Sequence, residues 1–200
     1  VTVMLFDYGI TKKSFFYVYW AGRFQRARYF NLLRKSEMLT VVSKSLLTKF
    51  LKDDRDIVYV TERLNHIDML HKWAPTDNKT TFISGDKIDV LDCQLVFSTP
   101  GKMRDGVDIP QKDCLIMSTP ISNIEQMCGR IVRISRNKEE PIIIDMVDIG
   151  EKEIYKTLFS RVKYYEKKKW KVKYVLLTSD GTFREISKDN AMEIISEKNE

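Results

Sequence analysis

Five short runs in the middle of this chain are apolar at nearly every position, and stretches of helical spacing lie between and after them. The runs are Asp56–Val60, Thr80–Ile83, Gln94–Ser98, Cys114–Met117 and Pro141–Asp145. A strand with one wet face alternates apolar and polar residues, whereas a continuously apolar strand is buried on both faces. Leu64–Trp73 places Leu64, Ile67 and Leu70 at helical intervals and stops before Pro75. Ile124–Ile131 also reads as helix. Lys152–Lys168 carries a stripe of Ile154, Tyr155, Leu158, Phe159, Val162 and Tyr165. Such strands alternating with such helices predict an α/β fold, a parallel sheet with helices on both faces.

The flanks differ from this centre. The first 20 residues read as strands, with Val1, Val3 and Leu5 alternating and then Phe15–Trp20, joined by a turn at Tyr8-Gly9 and closed by Gly22. Phe24–Lys35 and Ser36–Lys52 read as two helices on a basic surface. Beyond about residue 170, Val172–Leu177, the turn Ser179-Asp180-Gly181 and Thr182–Ile186 form a hairpin, and Asn190–Glu197 a last helix. This end is expected to be a small basic α+β appendage. The division is therefore 1–52, a lead-in of strands and basic helices; 53–150, the core domain; and 151–200, a helix, a hairpin and a short helix.

Composition excludes several classes. Two hundred residues, 43% hydrophobic and 31% charged, suit a globular protein rather than a disordered tail, a collagen-like repeat or a coiled coil. No run approaches the roughly 18 apolar residues of a membrane span, so no membrane partner is expected. No signal peptide opens the chain, and a start at Val1 suggests excision from something longer. Cys93, Cys114 and Cys128 form no Cys-x-x-Cys pair and read as free thiols in a reducing compartment. His66 and His71, at i and i+5, are poorly spaced to share a metal on one helix face, so no zinc site is expected.

The net charge of +6 is uneven. Residues 1–52 hold ten basic and two acidic side chains (+8), 53–150 hold twelve and seventeen (−5), and 151–200 hold twelve and nine (+3). Within 161–173, seven basic residues face Glu166 alone, interleaved with Tyr164, Tyr165 and Trp170. Basic flanks beside an acidic centre suggest a held polyanion, with Lys167, Lys168 and Lys169 as nucleic-acid contacts. A merely solvated helix face is the alternative.

The chemistry-bearing stretch is 94–133. One strand leads to Thr99, Gly106, Asp108 and Pro110. Another leads to a helix with Gln126-x-x-Gly129-Arg130-x-x-Arg133. Gln126, Arg130 and Arg133 stand at i, i+4 and i+7 and so share one helix face. Gly129 costs a helix interior about 1 kcal/mol, which suggests close approach of something to the backbone. Two permanent guanidinium charges beside an amide suit a polyphosphate. A surface helix with solvated arginines is the alternative reading.

In order and spacing these features resemble motifs V and VI of superfamily 2 helicases, over roughly Asp56–Asp148. The resemblance implies a RecA-like domain, the C-terminal motor half of an ATP-dependent DNA helicase or translocase. It implies that Arg130 and Arg133 reach the ATP γ-phosphate across an interdomain cleft, with Arg133 as arginine finger. Such a finger is worth about 10³–10⁵ in rate. The resemblance further implies that Gln126 helps sense nucleotide and that Gly106 and Asp108 link the nucleotide cleft to the nucleic-acid track, with Asp108 expected to pair with a motif VI arginine. Thr61 and Arg63, in the motif IV position, are candidate backbone contacts, or else an ordinary strand-end cap and a surface arginine. Gly85 sits where the family has a backbone-binding turn, and Thr99 and Lys102 sit where motif V begins, which makes them candidate phosphate contacts. The basic front, short motor domain and Lys/Tyr-rich tail are similar to bacteriophage superfamily 2 DNA helicases of the branch-migration type. The implied location is cytoplasmic, the host cell's cytoplasm if phage-encoded.

Two departures qualify the resemblance. Only eight residues separate Gly85 from Gln94, too few for the usual intervening helix. No Gly-x-x-x-x-Gly-Lys-[Ser/Thr] loop and no Asp-Glu pair occur, so these 200 residues lack the phosphate cradle and the acidic Mg²⁺ box. The chain alone is not expected to hydrolyse ATP. Mg²⁺ and the remaining ATP contacts fall to an N-terminal RecA-like half of the same polypeptide. The alternatives left open are a nucleic-acid-binding module whose arginines grip DNA phosphate, and a duplex translocase that does not unwind.

Overall fold

The computed structural model describes residues 1–8, 14, 16–86, 92–104, 109–133, 139–178 and 181–197. Among them the strands are β1 (Thr2–Phe6), β2 (Tyr19–Trp20), β3 (Arg23–Phe24), β4 (Ile57–Val60), β5 (Lys79–Phe82), β6 (Leu95–Ser98), β7 (Cys114–Met117), β8 (Ile142–Asp148), β9 (Lys173–Leu177) and β10 (Phe183–Ile186). The helices are α1 (Arg26–Leu33), α2 (Glu37–Lys52), α3 (Leu64–Trp73), α4 (Pro100–Arg104), α5 (Glu125–Ile131), α6 (Lys152–Lys167) and α7 (Lys188–Glu197).

Eight strands form one sheet in the order β10-β9-β1-β8-β7-β4-β6-β5. Every neighbouring pair is parallel except β10 with β9. Successive strand residues point to opposite faces, and here each face feeds its own core. Val3, Leu5, Val58 and Val60 join Met127, Ile131, Leu158, Val162 and Ile195 beneath α5, α6 and α7. Met4, Phe6, Ile57 and Tyr59 join Phe30, Leu39, Leu47, Phe50 and Leu70 beneath α1, α2 and α3. The parallel sheet covered on both faces is therefore present, and its central strands are buried throughout.

Three features differ from the sequence reading. First, β1 is not a lead-in: it lies inside the sheet between β8 and β9. Second, the C-terminal hairpin continues the same sheet through β9 rather than standing apart as an appendage. Third, Phe15–Trp20 is not a strand. Residues 16–18 are helical, and Tyr19–Trp20 pairs with Arg23–Phe24 in a separate two-stranded hairpin. Its two-residue loop has positive φ at Ala21 (48°) and Gly22 (72°), the sign a tight primed hairpin turn requires. The aromatic run never alternated with polar residues, and the turn at Ala21-Gly22 sets its conformation.

β8 is also longer than read, because Asp145 does not end it. Arg161 of α6 donates from Nε to Asp145 Oδ2 at 2.8 Å, and the Tyr165 hydroxyl donates to the same oxygen at 2.9 Å. With the acid paired inside the fold, the strand runs on to Asp148. Ser36 caps α2 by accepting from the Leu39 N–H at 3.3 Å, as its position before that helix suggests.

Two buried titrating groups pull stability in opposite directions as pH falls. His66 on α3 is almost fully buried with neither ring nitrogen partnered among the described residues, and burial pushes its pKa from 6.5 down to about 4. The unfolded chain therefore binds the proton first, and folded stability falls as pH drops from 6.5 towards 4, by up to about 3 kcal/mol. Asp148 behaves inversely. Burial raises its carboxyl to about 6, even though it accepts from the Tyr29 hydroxyl at 2.6 Å and the Gly150 N–H at 2.8 Å. Its contribution grows as pH falls through 6 and is lost as pH rises. His66→Leu is expected to leave the melting temperature near that of the parent at pH 7. The variant should become the more stable of the two by pH 4.5. Parallel melting curves that do not diverge would contradict this assignment.

Candidate nucleotide and nucleic-acid site

Parallel pairing brings the candidate loops to one edge. Val60, Ser98 and Met117 are level across β6, β4 and β7, and Phe82 of β5 is level with Ser98. The residues that follow, Thr61, Ile83, Thr99 and Ser118, therefore emerge in one row, neighbouring strands being about 4.8 Å apart. The row is tied by backbone bonds from Thr61 N–H to the Ser98 carbonyl (3.1 Å) and from Ser118 N–H to the Val60 carbonyl (3.0 Å). The Ser98 hydroxyl adds a bond to the Phe82 carbonyl at 2.6 Å.

Thr99 opens α4, a helix the sequence reading missed. Its hydroxyl accepts from the Lys102 N–H at 3.4 Å, and Pro100 occupies the first helical position. The Thr-Pro pair before a short polar stretch was the available signal. Lys102 sends its ammonium to the Asp86 carbonyl at 3.0 Å, over the Phe82 ring at 4.7 Å. Gly85 turns with φ +96°, a conformation that favours glycine, and nothing lies within 4 Å of where its Cβ would stand. Thr99, Lys102 and Gly85 are thus brought together.

Thr61 and Arg63 behave otherwise. Thr61 is fully buried, with its hydroxyl unpartnered among the described residues, so it does not present that group at the surface. Arg63 donates from Nη2 to the Ala27 carbonyl at 3.0 Å and lies 5.6 Å from the centre of the Phe30 ring. It fastens α1 to this edge, as does Arg26, which bonds Glu62 (3.1 Å) and the Pro120 carbonyl (2.9 Å).

The helix carrying Gln126 and the arginines is α5. Met127, Cys128 and Ile131 fill the core, and Gln126 is exposed. Gly129 has nothing within 4 Å of its missing Cβ, so this chain leaves the space beside it open. The two arginines part company. Arg130 is 9% exposed and turns inward, donating to the Met103 carbonyl and, at 3.1 Å, to the Arg104 carbonyl. These are the last carbonyls of α4, where a cation is favoured by the unpaired C=O groups and the helix dipole. Arg133 is exposed and lies beyond the helix, which ends at Ile131. The shared face inferred from i, i+4 and i+7 spacing therefore does not extend to both guanidiniums: Arg130 clasps α4 while Arg133 is at the surface. Gly106 and Asp108 lie outside the described residues.

Lys167 ends α6 and Lys168 and Lys169 follow it, in the turn that leads to Lys171, whose carbonyl accepts from the Val1 ammonium at 2.7 Å. Lys168 sits over Tyr164 at 5.7 Å, and Lys169 takes positive φ (58°). Their aromatic neighbours pack on one another: Trp170 lies 5.5 Å from Tyr164 and 6.1 Å from Tyr165, which is fully buried. These rings serve packing rather than an open stacking surface. Sequence reasoning missed the Arg161–Asp145 pair and the α1 arginines, because both are contacts across more than ten positions that no local spacing reveals.

The exposed amide of Gln126 on α5 and the exposed guanidinium of Arg133 two residues past its end are the kinds of donor that suit a phosphate. For Mg²⁺ no cluster of three or more His, Cys, Asp or Glu side chains occurs among the described residues. No described helix is long and apolar enough to cross a membrane. Cys93, Cys114 and Cys128 are free, the last two buried.

The sheet order and its two covered faces define a RecA-like α/β domain. No family model matches the chain. A protein of Acanthamoeba polyphaga mimivirus named "Putative ATP-dependent RNA helicase" is 30% identical over 135 residues, 62% of this chain and 26% of that protein. Among solved structures, T4 UvsW superposes with a TM-score of 0.60 at 12% identity, over 88% of this chain and 41% of that one. The chain thus spans about a quarter of the curated relative and less than half of the solved chain.

Proposed function

We propose that this chain is the C-terminal motor half of an ATP-dependent DNA helicase or translocase of the branch-migration type. It works with an N-terminal RecA-like half that carries the phosphate loop and the acidic box. The observation that carries this reading is the exposed Arg133 just past the end of α5, the helix that also exposes Gln126 and whose Arg130 is anchored to α4.

ATP with Mg²⁺, bound chiefly by the N-terminal half, supplies the γ-phosphoryl group transferred to water. Arg133 enters the cleft and neutralises charge that develops on that group. Gln126 offers an amide that reports whether nucleotide is present. Arg130 acts as a positioning residue: by holding α4 it couples α5 to the Thr99–Lys102 turn, so cleft closure moves the loop that grips nucleic acid. Thr99, Lys102 and the Gly85 turn bind the sugar–phosphate backbone, and Lys167, Lys168 and Lys169 add duplex or junction contact.

The test is DNA-stimulated ATP turnover of the protein with both halves joined, comparing Arg133→Ala with the parent. Loss of turnover with DNA binding retained supports the motor. Intact turnover with weakened DNA binding makes the chain a binding module. Strand-displacement against triplex-displacement assays then separate unwinding from translocation on intact duplex.

A further inference from the structure

The row of loops at the sheet edge continues onto a surface that none of the motifs includes. The β2–β3 hairpin stands over the end of β8, where the Tyr19 hydroxyl donates to Glu151 Oε1 at 2.7 Å. Its Tyr19 and Phe24 rings and the Tyr29 ring of α1 pack in sequence with centroids 5.6 Å apart and planes tilted by 57° and 50°, and the Tyr29 hydroxyl donates to Asp148. The hairpin is therefore rooted in the core. Its outer face is not buried: Trp20 is 65% exposed, Tyr17 46% and Phe16 88%. These are the large, flat side chains that a solvated surface ordinarily lacks in clusters.

Arg28 organises the patch. Its guanidinium carbon lies 5.3 Å from the Tyr17 ring centre and 5.7 Å from that of Trp20, and Nη1 donates to the Tyr17 carbonyl at 3.3 Å. Neither Arg28 nor Arg23, which pairs with Trp20 across the hairpin, forms an ion pair with a carboxylate among the described residues. The patch belongs to the segment of charge +8. On the same sheet edge, α1 follows this hairpin and is tied to the end of β4 by Arg63, which bonds the Ala27 carbonyl, and by Arg26, which bonds Glu62.

We infer that Trp20, Tyr17 and Arg28 form a stacking platform for unpaired nucleotides, extending the backbone-binding row at the ends of β4, β6 and β5. Exposed aromatic rings offer a face to any base, and unpaired arginines beside them attract phosphate; this pairing of chemistries suits single strands. Bases inside a duplex have no free face to offer. The inference rests on the nucleic-acid reading above and adds to it where unpaired bases lie.

The test is fluorescence anisotropy of this chain with a labelled 20-nucleotide oligothymidylate, its uridylate counterpart and a 20-base-pair duplex. Trp20→Ala is expected to weaken binding to both single strands about tenfold and duplex binding less than twofold. Trp20→Phe should restore most of the affinity. Arg28→Lys, which keeps the charge but loses the planar stack, should weaken single-strand binding severalfold. Because Trp20 is exposed, the melting temperature should not move. Unchanged single-strand affinity in Trp20→Ala overturns the platform while leaving the motor reading intact. An equal loss on duplex overturns it as well, leaving only an electrostatic patch. Loss of association with the N-terminal half, with oligonucleotide binding retained, makes the surface a protein interface instead. No binding of any probe by the parent overturns both the platform and the nucleic-acid reading.

Discussion

Arg133→Ala in the joined protein is expected to lower DNA-stimulated ATP turnover about a thousandfold or more, with a much smaller change in the concentration of ATP needed for half-saturation. The reason is differential: a guanidinium that meets charge developing during phosphoryl transfer stabilises that state more than bound ATP. Arg133→Lys should recover little, because an ammonium lacks the planar fork that spans two phosphate oxygens. The melting temperature should stay close to that of the parent, since Arg133 is exposed and lies outside the cores. Arg130→Ala gives a useful contrast. It removes the donors to the Met103 and Arg104 carbonyls, so it should lower stability and turnover together. Steady-state kinetics and a thermal melt on the two variants separate a group that meets the phosphate from one that positions its neighbour.

The largest stability effect is expected at Asp145→Ala, roughly 3–5 kcal/mol. Arg161 is 0% exposed at its side chain and Asp145 2%, and they meet at 2.8 Å. Removing the carboxylate strands a guanidinium that burial forbids from reaching water, and it also takes the acceptor from the Tyr165 hydroxyl. The loss is a large share of the roughly 5–15 kcal/mol that holds a domain together, so the denaturation midpoint should fall strongly. The double change Asp145→Leu with Arg161→Met is expected to be far milder, because an apolar pair of similar volume leaves no buried charge behind. Chemical denaturation of the single and double variants reads this directly. A single variant as stable as the parent would mean that Arg161 finds another partner, and the buried pair would not be what lets β8 run past Asp145.

Much of the architecture was legible because its signals are local. Leu64–Trp73 and Cys114–Met117 have the bounds that the apolar pattern suggests, and Ser36 sits where a helix cap is needed. What escaped depends on contacts distant in sequence. Nothing in Val1–Leu5 says that β1 enters between β8 and β9, since pairing partners some 140 positions away decide it. Asp145 looked like a strand end because its counter-charge comes from α6. Phe15–Trp20 carried strand-forming residue types, yet a turn at Ala21-Gly22 folds part of the run into a separate hairpin. Motif spacing proposes Gln126, Gly129 and Arg133 for the site, and the structure leaves Gln126 and Arg133 exposed. The inward turn of Arg130 was not legible, because the helix α4 that receives it had no strong pattern of its own. Thr61 follows β4 as its place in the sequence suggests, but its hydroxyl is buried, which no local spacing reveals.

The most direct test of the account is a structure of the joined halves with a γ-phosphate transition-state mimic such as ADP–aluminium fluoride. The account predicts the Arg133 guanidinium within hydrogen-bonding distance of the mimic, with Arg130 still bonded to the α4 carbonyls. Arg133 directed away from a bound mimic and onto a nucleic-acid phosphate would contradict it.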